Sequence, residues 1–406
     1  MKIWFVNQYA IPPQQAGPMR HYSLAKELVT LGHEVTIVAS SFDHVTQKET
    51  RLIAEKPFEL EVIDGVRFLW LYTPPYKGNS LARVKNMLAF SWQVAFGRAL
   101  GTLGKPDAVV GSSPHLFGAM AAWVRAKQLR VPFVLEIRDL WPQSLIDLGN
   151  YSERHPIVLA LTVIERWLYR FSDHIVAVLP GIHEPVARKG GHPERITWIP
   201  NGVGDLPALT PSAKKDDGTF IIMYAGTHGL ANGLDLVLDS AKQLATQPET
   251  RPVRFVFMGD GPERQRLMER ARQEGIGNVV FEPPVPKSQV YGKLAQADAY
   301  LLVLQDSPVF QWGVSPNKLF DYMAMRKPTL FGINTPFNPV KQSGAGLTFS
   351  PGDPASLPQA VTELLRLPPD KHAEMGLAGR QYVNEKHHFT NLALKYQHVF
   401  FQVARR

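Results

Sequence analysis

The chain has 406 residues, no cysteine, and 44 Lys and Arg against 36 Asp and Glu, a formal net charge of +8. Without cysteine, disulfides and thiolate metal sites are excluded, and a hydrophobic content of 45% speaks against long disorder. The length exceeds what one hydrophobic core usually supports and points to two domains.

The opening Met1-Lys2-Ile3-Trp4-Phe5-Val6 runs straight into a strand pattern, without the charged and then long apolar segments of a signal peptide. No apolar run of about 20 residues suggests a spanning helix. The basic balance fits an anionic membrane surface, anionic substrates, or a solvated basic surface. Nucleic-acid binding has neither a recognised motif nor a clustered basic patch behind it.

Along the chain, strand-like runs alternate with helical ones. In the first half, strands are expected at Lys2–Asn7, Glu34–Ser40, Val66–Tyr72, Asp107–Ser112, Pro132–Ile137, His174–Leu179 and Arg195–Ile199, with helical patterns such as Met19–Leu31 and Leu116–Gln128 between them. In the second half they fall at Thr219–Ala225, Val253–Gly259, Asn278–Phe281, Asp298–Leu304, Pro328–Gly332 and Gly346–Phe349. Most runs are continuously apolar, the pattern of strands covered by helices on both faces. Such alternation predicts parallel sheets with right-handed crossovers. It breaks once, at 204–217, where turn residues and Lys214-Lys215-Asp216-Asp217 replace apolar periodicity and a linker is expected. The predicted class is therefore α/β. Two doubly wound, Rossmann-like domains, 1–203 and 218–387, face each other across a cleft, with ligands at the carboxyl ends of their strands.

The stretch Arg83–Lys105 stands apart. Val84, Leu88, Trp92, Phe96, Leu100 and Leu103 recur at helical spacing, Phe90 and Val94 extend the apolar surface, and Arg83, Lys85, Arg98 and Lys105 flank it. It reads either as a buried helix or as an interfacial helix that meets a bilayer or a lipid-linked substrate.

Most chemistry is concentrated in Ser315-Pro316-Asn317-Lys318-Leu319-Phe320-Asp321-Tyr322-Met323-Ala324. A proline turn leads into an amphipathic run, so a helix opens near Pro316. Free backbone N–H groups and the helix dipole at such a start favour phosphate. Lys318 adds a mobile cation there, and Asp321, about one turn further on, suits the hydroxyls of a ribose. An ordinary capped surface helix shares these local features. Neither Asp-x-Asp nor His-Glu-x-x-His occurs, so the clustered carboxylates that hold a diphosphate through a metal are missing. Helix N-termini and basic side chains can neutralise it instead.

This segment resembles the donor-binding motif of glycosyltransferase family 4, the retaining enzymes of GT-B fold, and further matches follow in order. Gly17-Pro18-Met19-Arg20-His21, with Leu31-Gly32-His33-Glu34-Val35-Thr36 after it, resembles the family's first loop, helix and second strand. The resemblance implies that Gly17 lets the backbone approach the diphosphate or sugar and that Arg20 pairs with phosphate. Ser112-Ser113-Pro114-His115 is similar to the loop whose histidine faces the donor, which makes His115 a catalytic-site donor to sugar or diphosphate. Glu136-Ile137-Arg138-Asp139-Leu140-Trp141-Pro142 resembles a motif of the surface-polysaccharide branch. There Arg138 and Asp139 either form an ion pair that shapes the acceptor site, or Asp139 receives the acceptor proton. Pro200-Asn201-Gly202-Val203 resembles the family's signal at the end of the first domain.

In the second half, Tyr224-Ala225-Gly226-Thr227-His228-Gly229 is similar to the first strand-to-helix loop, with Gly226 and Thr227 at the donor. Thr227 and Asn232 stand near the Arg and Lys of most relatives, so the phosphate charge falls to Lys318 or to Arg264 of Gly259-Asp260-Gly261-Pro262-Glu263-Arg264. Val285, in Pro284-Val285-Pro286-Lys287, matches the loop whose backbone reads the base. Ser315, Pro316, Asn317, Lys318 and Asp321 complete the donor set. Asp321 takes a place usually held by Glu, and Gly313 that of a second Glu eight positions earlier.

The resemblance implies a retaining glycosyltransferase that uses no metal or other cofactor. It takes a sugar, an N-acetylated deoxy amino sugar among the candidates, from a nucleotide diphosphate, with UDP as the expected carrier. The acceptor is a lipid-diphosphate-linked saccharide of bacterial O-antigen, capsule or exopolysaccharide synthesis, at the inner face of the cell membrane. The segment 388–406 is expected to pack back on the first domain. Two alternatives stay open: a sugar-nucleotide epimerase of similar fold, and a non-catalytic scaffold, for which the absent Arg/Lys pair and Gly313 speak.

Overall fold

The apolar runs become parallel strands because helices cover both of their faces. The computed structural model describes all residues except 16, 18, 52–55, 79, 148, 150, 207–217, 247–250 and 406, so most of the expected linker lies outside the described residues. The chain divides into two units, Met1–Pro200 together with Phe389–Arg406, and Asn201–His388. The first unit thus stops short of residue 203. Residues 201–203 are hydrogen-bonded within the second unit, where Val203 N donates to His387 O at 3.0 Å and Val203 bridges His388.

In the first unit eight strands lie in the order Ile196–Trp198, His174–Ala177, Phe133–Ile137, Ala108–Ser112, Lys2–Val6, Glu34–Ser40, Val66–Leu71, Phe58–Ile63. All pair in parallel except the last, which runs antiparallel to Val66–Leu71. That edge strand is absent from the sequence expectation. Its signals are the exposed Leu60 and Val62 on one face and the two-residue turn Asp64-Gly65, both at positive φ, which suits a tight hairpin. The strand order reverses between Lys2–Val6 and Ala108–Ser112, the place where such sheets bind ligands.

The expected helix over 83–105 is shorter. It runs Leu81–Phe96, and Gly97 ends it in an extended conformation. Arg125 donates to Val94 O at 2.8 Å and Gly97 O at 2.7 Å, satisfying carbonyls that the helix end leaves open. A 3-10 turn, Ala99–Leu103, then carries Leu100 and Leu103 into the core. The helix is neither wholly buried nor wholly free: Phe90 and Val94 are buried, whereas Val84, Leu88, Trp92 and Phe96 are exposed.

One carboxylate joins five parts of this unit. Glu136, fully buried on the strand Phe133–Ile137, accepts from Arg20 Nε at 2.8 Å, His21 Nε2 at 2.7 Å, Ser112 Oγ at 2.7 Å and Tyr396 OH at 2.7 Å. Asn7 Nδ2 donates to His21 Nδ1 at 3.0 Å, which leaves the imidazole proton on Nε2, toward Glu136. Arg20 also donates to Ile199 O at 2.7 Å and to Pro200 O. Tyr396 belongs to the closing helix Phe389–Ala404, which packs on the helix Arg20–Thr30. Burial opposes ionisation, yet His21 and Arg20 hold the Glu136 carboxyl well below the usual carboxylate range.

The second unit has six parallel strands in the order Val279–Glu282, Val253–Met258, Phe220–Ala225, Ala299–Val303, Thr329–Gly332, Gly346–Phe349. Counted along the unit this is the dinucleotide-binding order, and its reversal falls between Phe220–Ala225 and Ala299–Val303.

Replacing Glu136 by Gln strands the buried Arg20 charge and should cost about 3–5 kcal/mol, whereas Tyr396→Phe should cost about 1.5–3 kcal/mol. Urea unfolding followed by tryptophan fluorescence measures both. Equal, small losses would show that the carboxylate does not organise the unit.

Candidate functional site

At the reversal point of the second unit three loops meet. The loop Gly226-Thr227-His228 leaves the strand Phe220–Ala225 and lies on Gly259-Asp260-Gly261 from the neighbouring strand. Gly226 N donates to Met258 O at 2.9 Å, His228 N to Asp260 O at 2.8 Å, and Glu263 N to His228 O at 3.0 Å. This fit needs glycine: a Cβ on Gly259, at φ 143°, would stand 2.1 Å from Gly226 O, far inside van der Waals contact.

The third loop, through Ser315, opens the helix Asn317–Ala324. Ser315 Oγ accepts from Asn201 N at 2.8 Å, and Asn201 Nδ2 donates to Ser315 O. Within the helix, Tyr322 OH accepts from Ala225 N at 2.7 Å and donates to Ala225 O at 2.9 Å. The helix start is thereby tied to the end of the central strand.

Lys318 lies in the first turn. Its Nζ donates to Tyr224 OH at 2.8 Å and Asn232 Oδ1 at 3.3 Å, and sits 4.6 Å from the centre of the Tyr224 ring. Tyr224 OH and Asn232 Nδ2 both donate to Thr227 O, at 2.6 and 3.0 Å. A Cβ on Gly226 would lie 2.7 Å from Lys318 Nζ, so the missing side chain of that glycine is the seat of the lysine. Burial lowers Lys318 to about 8, and no carboxylate pairs with it among the described residues. The N–H groups of Asn317 and Lys318 precede the first intrahelical acceptor, so ammonium and helix dipole bring positive potential to one spot. Arg264 opens the helix Arg264–Gln273, and its buried Nε has no hydrogen-bond partner. His228, fully buried with both ring nitrogens unpartnered, is lowered to about 4 by burial and by the Arg264 charge and stays neutral. Arg264 and Lys318 both bring positive charge to His228, which the Asp260 carboxylate partly offsets.

One turn on, Asp321 accepts from Tyr291 OH at 2.8 Å. Tyr291 stands on the helix Lys287–Leu294, which follows the loop carrying Val285. Burial raises Asp321 to about 6, against the pull of Tyr291 and Lys287.

In the first unit, His115 caps the helix Leu116–Leu129: its Nδ1 accepts from Gly118 N at 3.1 Å. Its ring stands edge-on to Tyr9 at 5.7 Å, which brings together the loops at that sheet's own reversal point. Burial, then the Arg83 charge, hold His115 at about 3. A neutral ring accepting at Nδ1 carries its proton on Nε2, so His115 is a hydrogen-bond donor rather than a base. Gly17 is exposed at φ 143°. Arg138 N donates to Ser113 Oγ at 3.1 Å. Asp139 is exposed, and no hydrogen-bonded ion pair joins it to Arg138 among the described residues.

Residues 18–202 match the glycosyl transferase 4-like domain, and residues 219–367 match the glycosyl transferases group 1 domain. The chain belongs to the family 4 glycosyltransferases of GT-B fold. This transferase is 24% identical over 313 residues to the putative colanic acid biosynthesis glycosyl transferase WcaI of Escherichia coli K12, covering 73% of this chain and 75% of that protein. Its fold is shared by sucrose-phosphate synthase from Thermosynechococcus elongatus, with a TM-score of 0.76, 16% identity, and 99% and 98% of the two chains covered. Anabaena HepE, solved in complex with UDP and glucose, aligns with a TM-score of 0.69 and 14% identity over 99% of this chain and 100% of that one.

Within the transferase, several sequence expectations change. Arg20 is not a phosphate ligand: its side chain is wholly buried and spent on Glu136 and two carbonyls. The Ser315 hydroxyl anchors the loop to Asn201. Thr227 contributes its carbonyl to the Lys318 seat. No salt bridge or hydrogen bond joins Arg138 and Asp139 among the described residues, although each side chain feels the charge of the other. Gly313 sits at φ 92°, a conformation that strains any residue with a Cβ, so the Glu of relatives has no backbone place there. Sequence reading missed Asn201, Tyr224, Tyr291 and Tyr322 as site builders. Asn201, Tyr224 and Tyr322 lie inside motifs that the sequence shows, whereas Tyr291 lies outside them.

Binding of a nucleoside diphosphate such as UDP should be bell-shaped in pH. Asp321 accepts from hydroxyls when ionised, so affinity rises as pH climbs through about 6. Lys318 attracts phosphate when protonated, so affinity falls as pH passes about 8. In calorimetric titrations, Asp321→Asn should flatten the acid limb and Lys318→Met the alkaline one; limbs unmoved by these variants would remove both assignments.

Proposed function

We propose that the transferase moves a sugar from a nucleotide diphosphate, UDP for preference, to a lipid-diphosphate-linked saccharide in bacterial surface-polysaccharide synthesis, with retention and without a metal ion. The observation that carries this reading is the Lys318 ammonium at a helix N-terminus, held by uncharged partners and by no carboxylate among the described residues, one turn before the Asp321 carboxylate. The cation meets a diphosphate and the carboxylate the adjoining ribose. Support for the polysaccharide context comes from the relative named for colanic acid biosynthesis, and for UDP from the HepE complex. A deoxy amino sugar is among the donors this reading allows.

As the bond from the anomeric carbon to the diphosphate oxygen breaks, negative charge grows on the leaving group. The N–H groups of Asn317 and Lys318, the ammonium and Arg264 stabilise it in place, ready-oriented. The acceptor hydroxyl forms the new bond and its proton passes to the departing phosphate. His115 Nε2 donates a hydrogen bond to substrate oxygen and takes no proton. The exposed Trp92 and Phe96 support peripheral attachment to a membrane surface.

Lys318→Ala and Asp321→Ala should each lower kcat/KM by about 100-fold or more while the unfolding midpoint stays within reach of the parent. Full activity in both would refute the donor site. Treatment with EDTA should leave the rate unchanged; a loss that magnesium restores would refute metal-free transfer.

A further inference from the structure

Three helices of the first unit present apolar side chains outward. On Leu81–Phe96 the exposed ones recur every four residues, at Val84, Leu88, Trp92 and Phe96, with Trp92 67% exposed. On Pro156–Phe171 the same spacing gives Leu159, Val163, Trp167 and Phe171, with Val163 66% exposed. The inward faces of both helices already bury their own apolar residues, among them Phe90, Val94, Leu161 and Leu168. The outward stripes are therefore surplus to the core of the unit.

The helix Leu116–Leu129 packs against both and joins the stripes. On one side its Phe117, Met120 and Val124 line a trough of about 310 Å³ with Trp92 and Phe96. On the other, Trp123 meets Trp167 edge-on at 5.6 Å and donates from Nε1 to Phe171 O at 3.3 Å. The result is one continuous apolar face, and an exposed face of this kind is an interaction surface.

Charge selects the occupant. Leu81–Phe96 and Leu116–Leu129 contain no Asp or Glu, and the one acid of Pro156–Phe171, Glu165, is fully buried on Lys189 at 2.6 Å. Exposed Lys85, Arg98, Arg130, Arg166 and Arg170 lie on or next to these helices, and the exposed Lys127 pairs with Asp173 at 3.4 Å. A second copy of this face would bring like charges together, which opposes a symmetric dimer. An anionic bilayer meets both features: Trp rings and aliphatic side chains enter the headgroup boundary while the cations meet lipid phosphates. A 16-residue helix is about 24 Å long and lies in the interface plane.

We infer that the face built by Leu81–Phe96, Leu116–Leu129 and Pro156–Phe171 docks on an anionic lipid bilayer, with Trp92, Phe96, Val163 and Trp167 inserted. This rests on the membrane-surface reading of the first helix given above and extends it to two more helices and a lipid class; the donor site plays no part in it.

The full chain is sedimented with vesicles of phosphatidylglycerol and phosphatidylethanolamine, and separately with phosphatidylcholine alone, at about 0.1 M salt. Strong binding to the first and at least about tenfold weaker binding to the second is expected. Trp92→Glu and Val163→Glu, both at exposed positions, should each weaken binding about tenfold or more, and UDP should stabilise both variants against heat as it does the parent. Binding that Trp92→Glu removes and Val163→Glu leaves intact would overturn the three-helix face. No binding to anionic vesicles would overturn it as well, as would a dimer in solution that both variants dissociate. A parent protein that binds vesicles but gains no thermal stability from UDP would sink the donor reading and leave this inference standing.

Discussion

A single buried carboxylate holds the first unit together. Glu136 has given up water entirely, and burial of an isolated charge is prohibitive. It survives because four side chains from three separate parts of the chain converge on its two oxygens. Each partner is in turn fixed by the requirement that no buried polar group be left alone. Arg20 spends its remaining donors on Ile199 and Pro200, the last residues before the second unit begins. Tyr396 brings in the closing helix. The same strand ends in the loop of Arg138 and Asp139, so this carboxylate also sets where that loop starts.

The second unit solves a different electrostatic problem. Its loops come close enough for Gly226 and Gly259 to touch backbone to backbone, and that closeness makes room for Lys318 beside the Tyr224 ring. Tyr224, Asn232 and Tyr322 hold the lysine and the helix start without neutralising them, because every group they offer is uncharged. A carboxylate there would have cancelled the field that a diphosphate needs. Asp321 is kept one turn away, and burial makes it an unusually weak acid.

The glycosyltransferase reading was carried by short-range patterns. The strand–helix alternation, the proline-led helix at Pro316 and the placing of Lys318 and Asp321 all follow from spacings within about two turns, where backbone geometry dictates which side chains are neighbours. The edge strand Phe58–Ile63 was within reach too, since Asp64-Gly65 is a hairpin signal. The helix at 83–105 misled because its apolar residues fill every side; Gly97 marked its end, and only packing separated the buried Phe90 and Val94 from the exposed Trp92 and Phe96.

Arg20 shows where such reading stops. From its place after a glycine loop it looks like a phosphate ligand, yet its partner Glu136 lies 116 residues away, and Asn201 grips Ser315 across 114 residues. By itself the sequence determined the α/β class and the two doubly wound halves, because periodicity and turn chemistry are local properties. Tertiary structure alone decided which charges are consumed in the fold and which stay available to a ligand, because that depends on the order of strands in the sheet, and no local period encodes it.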